Sequence, residues 1–235
     1  MLVGSLRGLF NSPAAHAAVV QLAPWASSGA AYNGRVAALR QAQLEAAEGA
    51  TSGMSAITAV DLGDPFGPIG SIHPRRKQPV GERLGNAILQ HVYGVSAAAA
   101  PYAGPRLSSS RAGGGSTPGA LSATLEFTIP GGAAAAALQL IAPSPTGPYA
   151  NSSVCPVGVG AALCAGFQLQ GSSGAWYSAS SAVVAEGGGA LVLEAAGAAA
   201  GESLRATASG WSLWPITLLY SADGLPAFPW NETVG

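Results

Sequence analysis

Residues 61–93 read Asp61-Leu-Gly-Asp64-Pro-Phe-Gly-Pro-Ile-Gly-Ser71-Ile-His73-Pro-Arg-Arg-Lys77-Gln-Pro-Val-Gly-Glu-Arg-Leu84-Gly-Asn-Ala-Ile-Leu-Gln-His91-Val-Tyr93. They hold the densest set of chemically capable side chains in a chain otherwise rich in Ala, Gly, Ser and Val. An apolar, β-branched segment over 54–60 leads in, and Gly and Pro punctuate the residues after Asp61, the signature of a strand running into a loop. His73 closes the loop, with Pro74 restricting the backbone after it. Val80, Leu84, Ile88 and Val92 then recur every fourth residue, which predicts an amphipathic helix from about Lys77 to about Gly94. A histidine between a strand and a helix sits where open α/β sheets carry their functional groups.

Working outward, 34–48 is made of good helix formers, with Val36, Leu39, Gln43 and Ala47 on one face. The Val-rich run 16–22 predicts a buried strand, 23–33 a loop, and 2–10 the end of a helix stopped by Asn11-Ser12-Pro13. This alternation argues for a parallel sheet with helices packed on it, over residues 1–95. Ala, Gly, Ser and Pro without periodicity predict a linker over 96–119. Beyond it, Leu125, Phe127 and Ile129 alternate with Thr124, Glu126 and Thr128, and short strand candidates succeed them at 138–141, 166–170, 175–181, 190–194, 204–209 and 216–220. Short strands separated by turn residues, with no helix, predict a β-sandwich over 120–235. The expected fold class is therefore α/β followed by all-β.

The chain has 235 residues, 49% of them hydrophobic, enough for a core in one large or two small domains. Only 9% are charged, well below the usual quarter, and the net charge of -1 gives no reason to expect nucleic acid or a membrane surface as partner. No segment supplies the roughly twenty consecutive apolar residues of a membrane helix, and 133–137 is a low-complexity Ala run. Cys155 and Cys164 enclose Pro156, Gly158 and Gly160 in a loop able to close, so a disulfide and two free thiols both remain open. Two cysteines without nearby histidines do not complete the four ligands of zinc, and neither metal nor cofactor is expected. Asn151-Ser152-Ser153 and Asn231-Glu232-Thr233 fit the N-glycosylation pattern, which matters only on a secretory route.

Ser71 to Leu84, preceded by Asp61-Leu-Gly-Asp64, resembles the histidine block of the sialate O-acetylesterase family, carbohydrate esterases of the SGNH hydrolase type. Val20-Gln21-Leu22-Ala23-Pro24-Trp25, Leu39-Arg40-Gln41-Ala42-Gln43 and Leu219-Tyr-Ser-Ala-Asp-Gly-Leu-Pro-Ala-Phe-Pro229 are similar to other family segments, whereas 95–205 matches loosely or not at all. The resemblance implies part of a flavodoxin-like three-layer α/β domain, an O-acetylated sugar as substrate, and His73 as the general base and acid of ester hydrolysis. The family's Asp three residues before its histidine is replaced here by Gly70, which leaves Asp64, slightly favoured, and Asp61 to orient the ring. Both carboxylates equally suit capping of the Gly-rich turn.

A serine hydrolase also needs a nucleophile and oxyanion donors. The family's Gly-Gln-Ser-Asn block is missing, as is any Gly-x-Ser-x-Gly elbow, and Ser5, Ser12, Ser27, Ser28 and Ser71 do not stand in such a context. The resemblance thus implies the carboxyl-terminal part of an esterase, secreted or lysosomal if a leader precedes it and cytoplasmic if Met1 is the start. The alternative is a non-catalytic carbohydrate-binding or structural β-domain carrying a hydrolase remnant. Arg75, Arg76 and Lys77 suit an acidic sugar or a solvated helix start; Trp211, Trp214, Trp230 and Phe228 suit core packing better than a sugar platform; His16 and His91 have no ligand partners in spacing.

Overall fold

The computed structural model describes residues 2–26, 29–48, 53–116, 119–130, 137–147 and 150–235. Ser27, Ser28 and residues 133–136 of the Ala run lie outside them. The chain is mixed α/β, with antiparallel sheets in its carboxyl-terminal half.

Helix α1 (Leu2–Leu9) is stopped as expected: Asn11 takes a left-handed backbone (φ 47°), and the Ser12 amide donates to the Arg7 carbonyl at 2.8 Å. Strand β1 (Ala17–Gln21), helix α2 (Asn33–Glu48), strand β2 (Met54–Thr58) and helix α3 (Gln78–His91) come next. β1 and β2 are parallel, in register from Ala17 opposite Met54 to Gln21 opposite Thr58. Arg7 clamps the amino-terminal ends of both strands, donating to the carbonyls of Ala15 and Gly53 at 2.9 Å each. Gly53 is required there: its φ is +72°, and a Cβ would lie 2.6 Å from the Arg7 Nη2.

Three expectations for this half need correction. β1 is half-exposed except at Gln21, as one edge of a sheet that has two strands among the described residues. α2 buries Val36, Ala37, Arg40, Leu44 and Ala47, leaving Leu39 48% exposed, because the Arg40 guanidinium has inward-facing partners that an aliphatic stripe would not satisfy. α3 turns Arg83 and Ala87 inward, with Val80 and Leu84 alongside, and Val92 is exposed. Its predicted limits hold, with Pro79 in the first turn, where its missing N–H costs nothing, and Gly94 closing the last.

The rest of the chain adds β3 (Arg106–Ala112), β4 (Leu121–Thr128), β5 (Gln139–Leu140), a helical turn α4 (Ala150–Ser153), β6 (Cys164–Ala165), β7 (Phe167–Gly171), β8 (Trp176–Ser178), β9 (Ser181–Val184), β10 (Ala190–Ala195), β11 (Leu204–Ser209), β12 (Trp214–Pro215), β13 (Leu219–Tyr220) and β14 (Trp230–Thr233). Two four-stranded antiparallel sheets, in orders β3-β4-β10-β9 and β14-β11-β7-β8, share one apolar core. Leu121, Ala123, Leu125, Phe127, Leu191 and Leu193 come from the first sheet and Phe167, Leu169 and Trp230 from the second. The alternation read over 123–129 is realised: Leu125 and Phe127 face inward.

Residues 96–119 are not a free linker. Ala100, Tyr102 and Ala103 are buried, the last two against Leu44, Ile57, Ala87 and Phe228, and the Asn86 and Gln90 side chains donate to the carbonyls of Pro101 and Ala100. β3 lies in the same stretch. It is an edge strand whose faces are both largely wet, so Arg106-Leu-Ser-Ser-Ser-Arg-Ala112 lacks the apolar alternation that marks a half-buried strand. Cys155 and Cys164 are disulfide-bonded, with Cα atoms 5.7 Å apart.

Candidate functional site

The loop carrying His73 leaves the carboxyl end of β2 and is pinned at both ends by arginine–carboxylate forks. Asp61 receives two hydrogen bonds from Arg83 of α3, at 2.8 and 2.7 Å, while the Arg83 Nη1 also donates to the Thr58 carbonyl at 2.7 Å. Both side chains are buried, and an ion pair so shielded is costly to break on one side only, at about 3–5 kcal/mol. Asp64 is gripped by Arg75: Nε donates to Oδ2 at 2.7 Å and Nη2 to Oδ1 at 2.9 Å, and the Arg75 amide adds a third bond at 3.2 Å. The side-chain hydrogen bond from Arg75 is the main cause holding the Asp64 carboxyl below its usual range, so Asp64 is ionised at neutral pH.

Between these anchors the backbone turns three times in succession, with amide-to-carbonyl bonds from Gly67 to Asp64, Gly70 to Gly67 and His73 to Gly70. Gly70 takes φ +95°, which a side chain would resist. The Ser71 hydroxyl donates to the Ala26 carbonyl at 3.1 Å and accepts from the Ala26 amide at 2.9 Å, tying the loop to the one that succeeds β1. Pro74 is buried, and His73 is exposed to solvent. Phe66 and Ile69, 74% and 78% exposed, give the same loop an apolar surface.

Asp61 and Asp64 are therefore both committed to arginines, and among the described residues the His73 ring has no hydrogen-bond partner. Asp64 braces the loop through Arg75, leaving Arg76 and Lys77 exposed. Ser71 is buried and has both hydroxyl functions occupied, which removes it as a nucleophile. Ser12 lies beside α1 at the opposite, amino-terminal ends of the strands.

Two clusters escaped the sequence reading. Arg40 is fully buried and donates to the carbonyls of Leu22 (2.8 Å), Ala23 (2.9 Å), Ser212 (2.6 Å) and Leu213 (3.2 Å). Burial pulls its pKa down to about 9, still above neutrality, so it remains a cation. It joins the loop after β1 to the segment before β12. His16 and His91 stack with ring centroids 4.8 Å apart; the Nε2 of His16 lies 3.0 Å from the Ser55 hydroxyl and that of His91 3.0 Å from the Tyr102 hydroxyl. The two histidines are 75 positions apart, and no local signal joins them.

Trp214 is fully buried, close enough that a Cβ on Gly63 would meet its ring at 2.6 Å. Trp230 packs on Phe127 and Phe167, and Phe228 lies under the Arg106 guanidinium. These rings pack the interior; Trp211 is half-buried. A groove of about 480 Å³ lies in the β half, walled by Leu140, Phe167, Ser178, Ser180, Ala182 and Leu218 among others, with no wall residue from the His73 loop. Among the described residues no group of three or more His, Cys, Asp or Glu could hold a metal ion, and no helix is long and apolar enough to cross a membrane. No protein-family model matches this chain, and no curated protein matches it significantly.

Proposed function

We propose that this chain is part of a carbohydrate esterase resembling the sialate O-acetylesterases, removing O-acetyl groups from a sialic acid or related sugar, with an SGNH-type α/β unit contributed by residues 1–95. The observation that carries the reading is the presentation of His73: an exposed imidazole on a loop braced at Asp61, Asp64 and Ser71, beyond the carboxyl end of a parallel strand. A rigid loop costs little reorganisation when the ring takes a proton from a serine hydroxyl and returns it to the leaving alcohol. Asp64 serves by holding that loop, and the nucleophile is a serine that the described surroundings of His73 do not supply. Arg76 and Lys77 lie on the same segment and suit the carboxylate of an acidic sugar.

The test is acetate release from an O-acetylated sialic acid by the protein translated from the complete transcript. His73→Ala should lower kcat by about 10²–10⁴-fold, the usual range for a general base. Undiminished turnover in that variant would sink the assignment. A reading frame without a Gly-Gln-Ser-Asn block, joined to absent acetate release, would leave the non-catalytic β-domain as the better account.

A further inference from the structure

We propose that Asn231 is an N-glycosylation site and that Asn151, which carries the same sequence pattern, is not. Transfer requires the asparagine amide to be accessible and the hydroxyl two residues later to be free for the transferase to grip. In a strand, residues i and i+2 share a face, whereas in an α-helix they are separated by about 200°.

The two sequons fall on opposite sides of that distinction. Asn231-Glu232-Thr233 lies in β14, an edge strand paired only with β11 in its sheet. Trp230 anchors the strand inward, packing on Phe127 and Phe167 and donating its indole N–H to the Thr207 hydroxyl. Period-two alternation therefore turns Asn231 and Thr233 outward together, both are exposed, and neither side chain has a partner among the described residues. Asn151-Ser152-Ser153 lies in the single turn α4. Asn151 is exposed, but Ser153 points the other way: it is buried, donating to the Ser144 carbonyl and accepting from the Ser144 amide.

A second observation points to the compartment in which this chemistry occurs. The Cys155–Cys164 disulfide belongs to an oxidising environment such as the secretory route. There the co-reactant is a polyprenyl-pyrophosphate-linked oligosaccharide. The Asn231 Nδ2 bonds to the anomeric carbon, the bond from that carbon to the pyrophosphate oxygen breaks, the lipid pyrophosphate leaves with the electron pair, and the amide proton passes to a base. No oxidation or reduction is involved. The sugar then stands on the outward face of β14, the outermost strand of its sheet. The proposal does not depend on the esterase reading.

The protein isolated from its own cells should be treated with peptide N-glycosidase in heavy-oxygen water and its peptides weighed. Conversion of Asn231 to labelled Asp, with Asn151 unlabelled, is the expected result; an unmodified Asn231 peptide overturns the proposal. The full chain, expressed behind a secretory leader, separates the sites. Asn231→Gln and Thr233→Ala should each remove one glycan's mass and Asn151→Gln none, while loss of a glycan in Asn151→Gln refutes the choice of site. Asn151, Asn231 and Thr233 are all exposed, so each substitution leaves intact the fold on which the accessibility argument rests.

Discussion

Replacing Arg40 by methionine removes the guanidinium while keeping much of the side-chain volume, and the cost can be worked from its partners. Four carbonyls accept from Arg40, and one of them, that of Leu213, keeps a second donor in the Trp25 amide. Those of Leu22, Ala23 and Ser212 lose the only donor seen among the described residues. Each carbonyl left unsatisfied in a dry setting costs about 1–3 kcal/mol. The variant is relieved of holding an ion out of water, which returns part of that sum. The balance is a loss of about 3–5 kcal/mol, a large share of the roughly 5–15 kcal/mol that stabilises a domain. Arg40→Lys keeps the charge but loses the fork, so it should fall between, at about 2 kcal/mol. Urea unfolding followed by tryptophan fluorescence reads both. An Arg40→Met protein within about 1 kcal/mol of the parent would show that water or backbone adjustment satisfies these carbonyls.

Reduction of Cys155–Cys164, or its replacement by two serines, should cost about 2–3 kcal/mol, because the bond closes a short loop in the unfolded chain. Urea midpoints with and without reductant check it, and a change under about 0.5 kcal/mol would mean the loop is already closed by its own contacts. Acid should also destabilise the protein through His16, whose pKa is lowered by burial first, then by His91 and Arg7. The unfolded chain binds the proton more readily, so this contribution is present above the usual histidine value of about 6.5 and is lost as pH falls through the lower folded value. His16→Gln should flatten the urea midpoint between about pH 7.5 and pH 5; parallel curves for variant and parent would discard His16 as the cause.

The features legible in the chain were those that repeat over a few residues. The β4 alternation, the Lys77-to-Gly94 limits of α3, the strand–loop–helix setting of His73 and the turn that stops α1 all arise from local periodicity and from Gly, Pro and Asn at fixed offsets. β3 and the buried turn of α2 were misread because their residues answer to distant partners: Arg111 pairs with Glu126 across the strand pair, and Arg40 serves carbonyls more than 170 positions away. The same holds at the candidate site. Residue types alone left Asp61 and Asp64 open as partners of His73, and only the approach of Arg83 and Arg75 assigns each carboxylate. Hydrophobic period is a property of a segment by itself, so the sequence determined the elements that carry such a period, β4 and α3 among them. A buried polar group is satisfied by whatever the fold brings within about 3 Å, so its role was decided by tertiary structure alone.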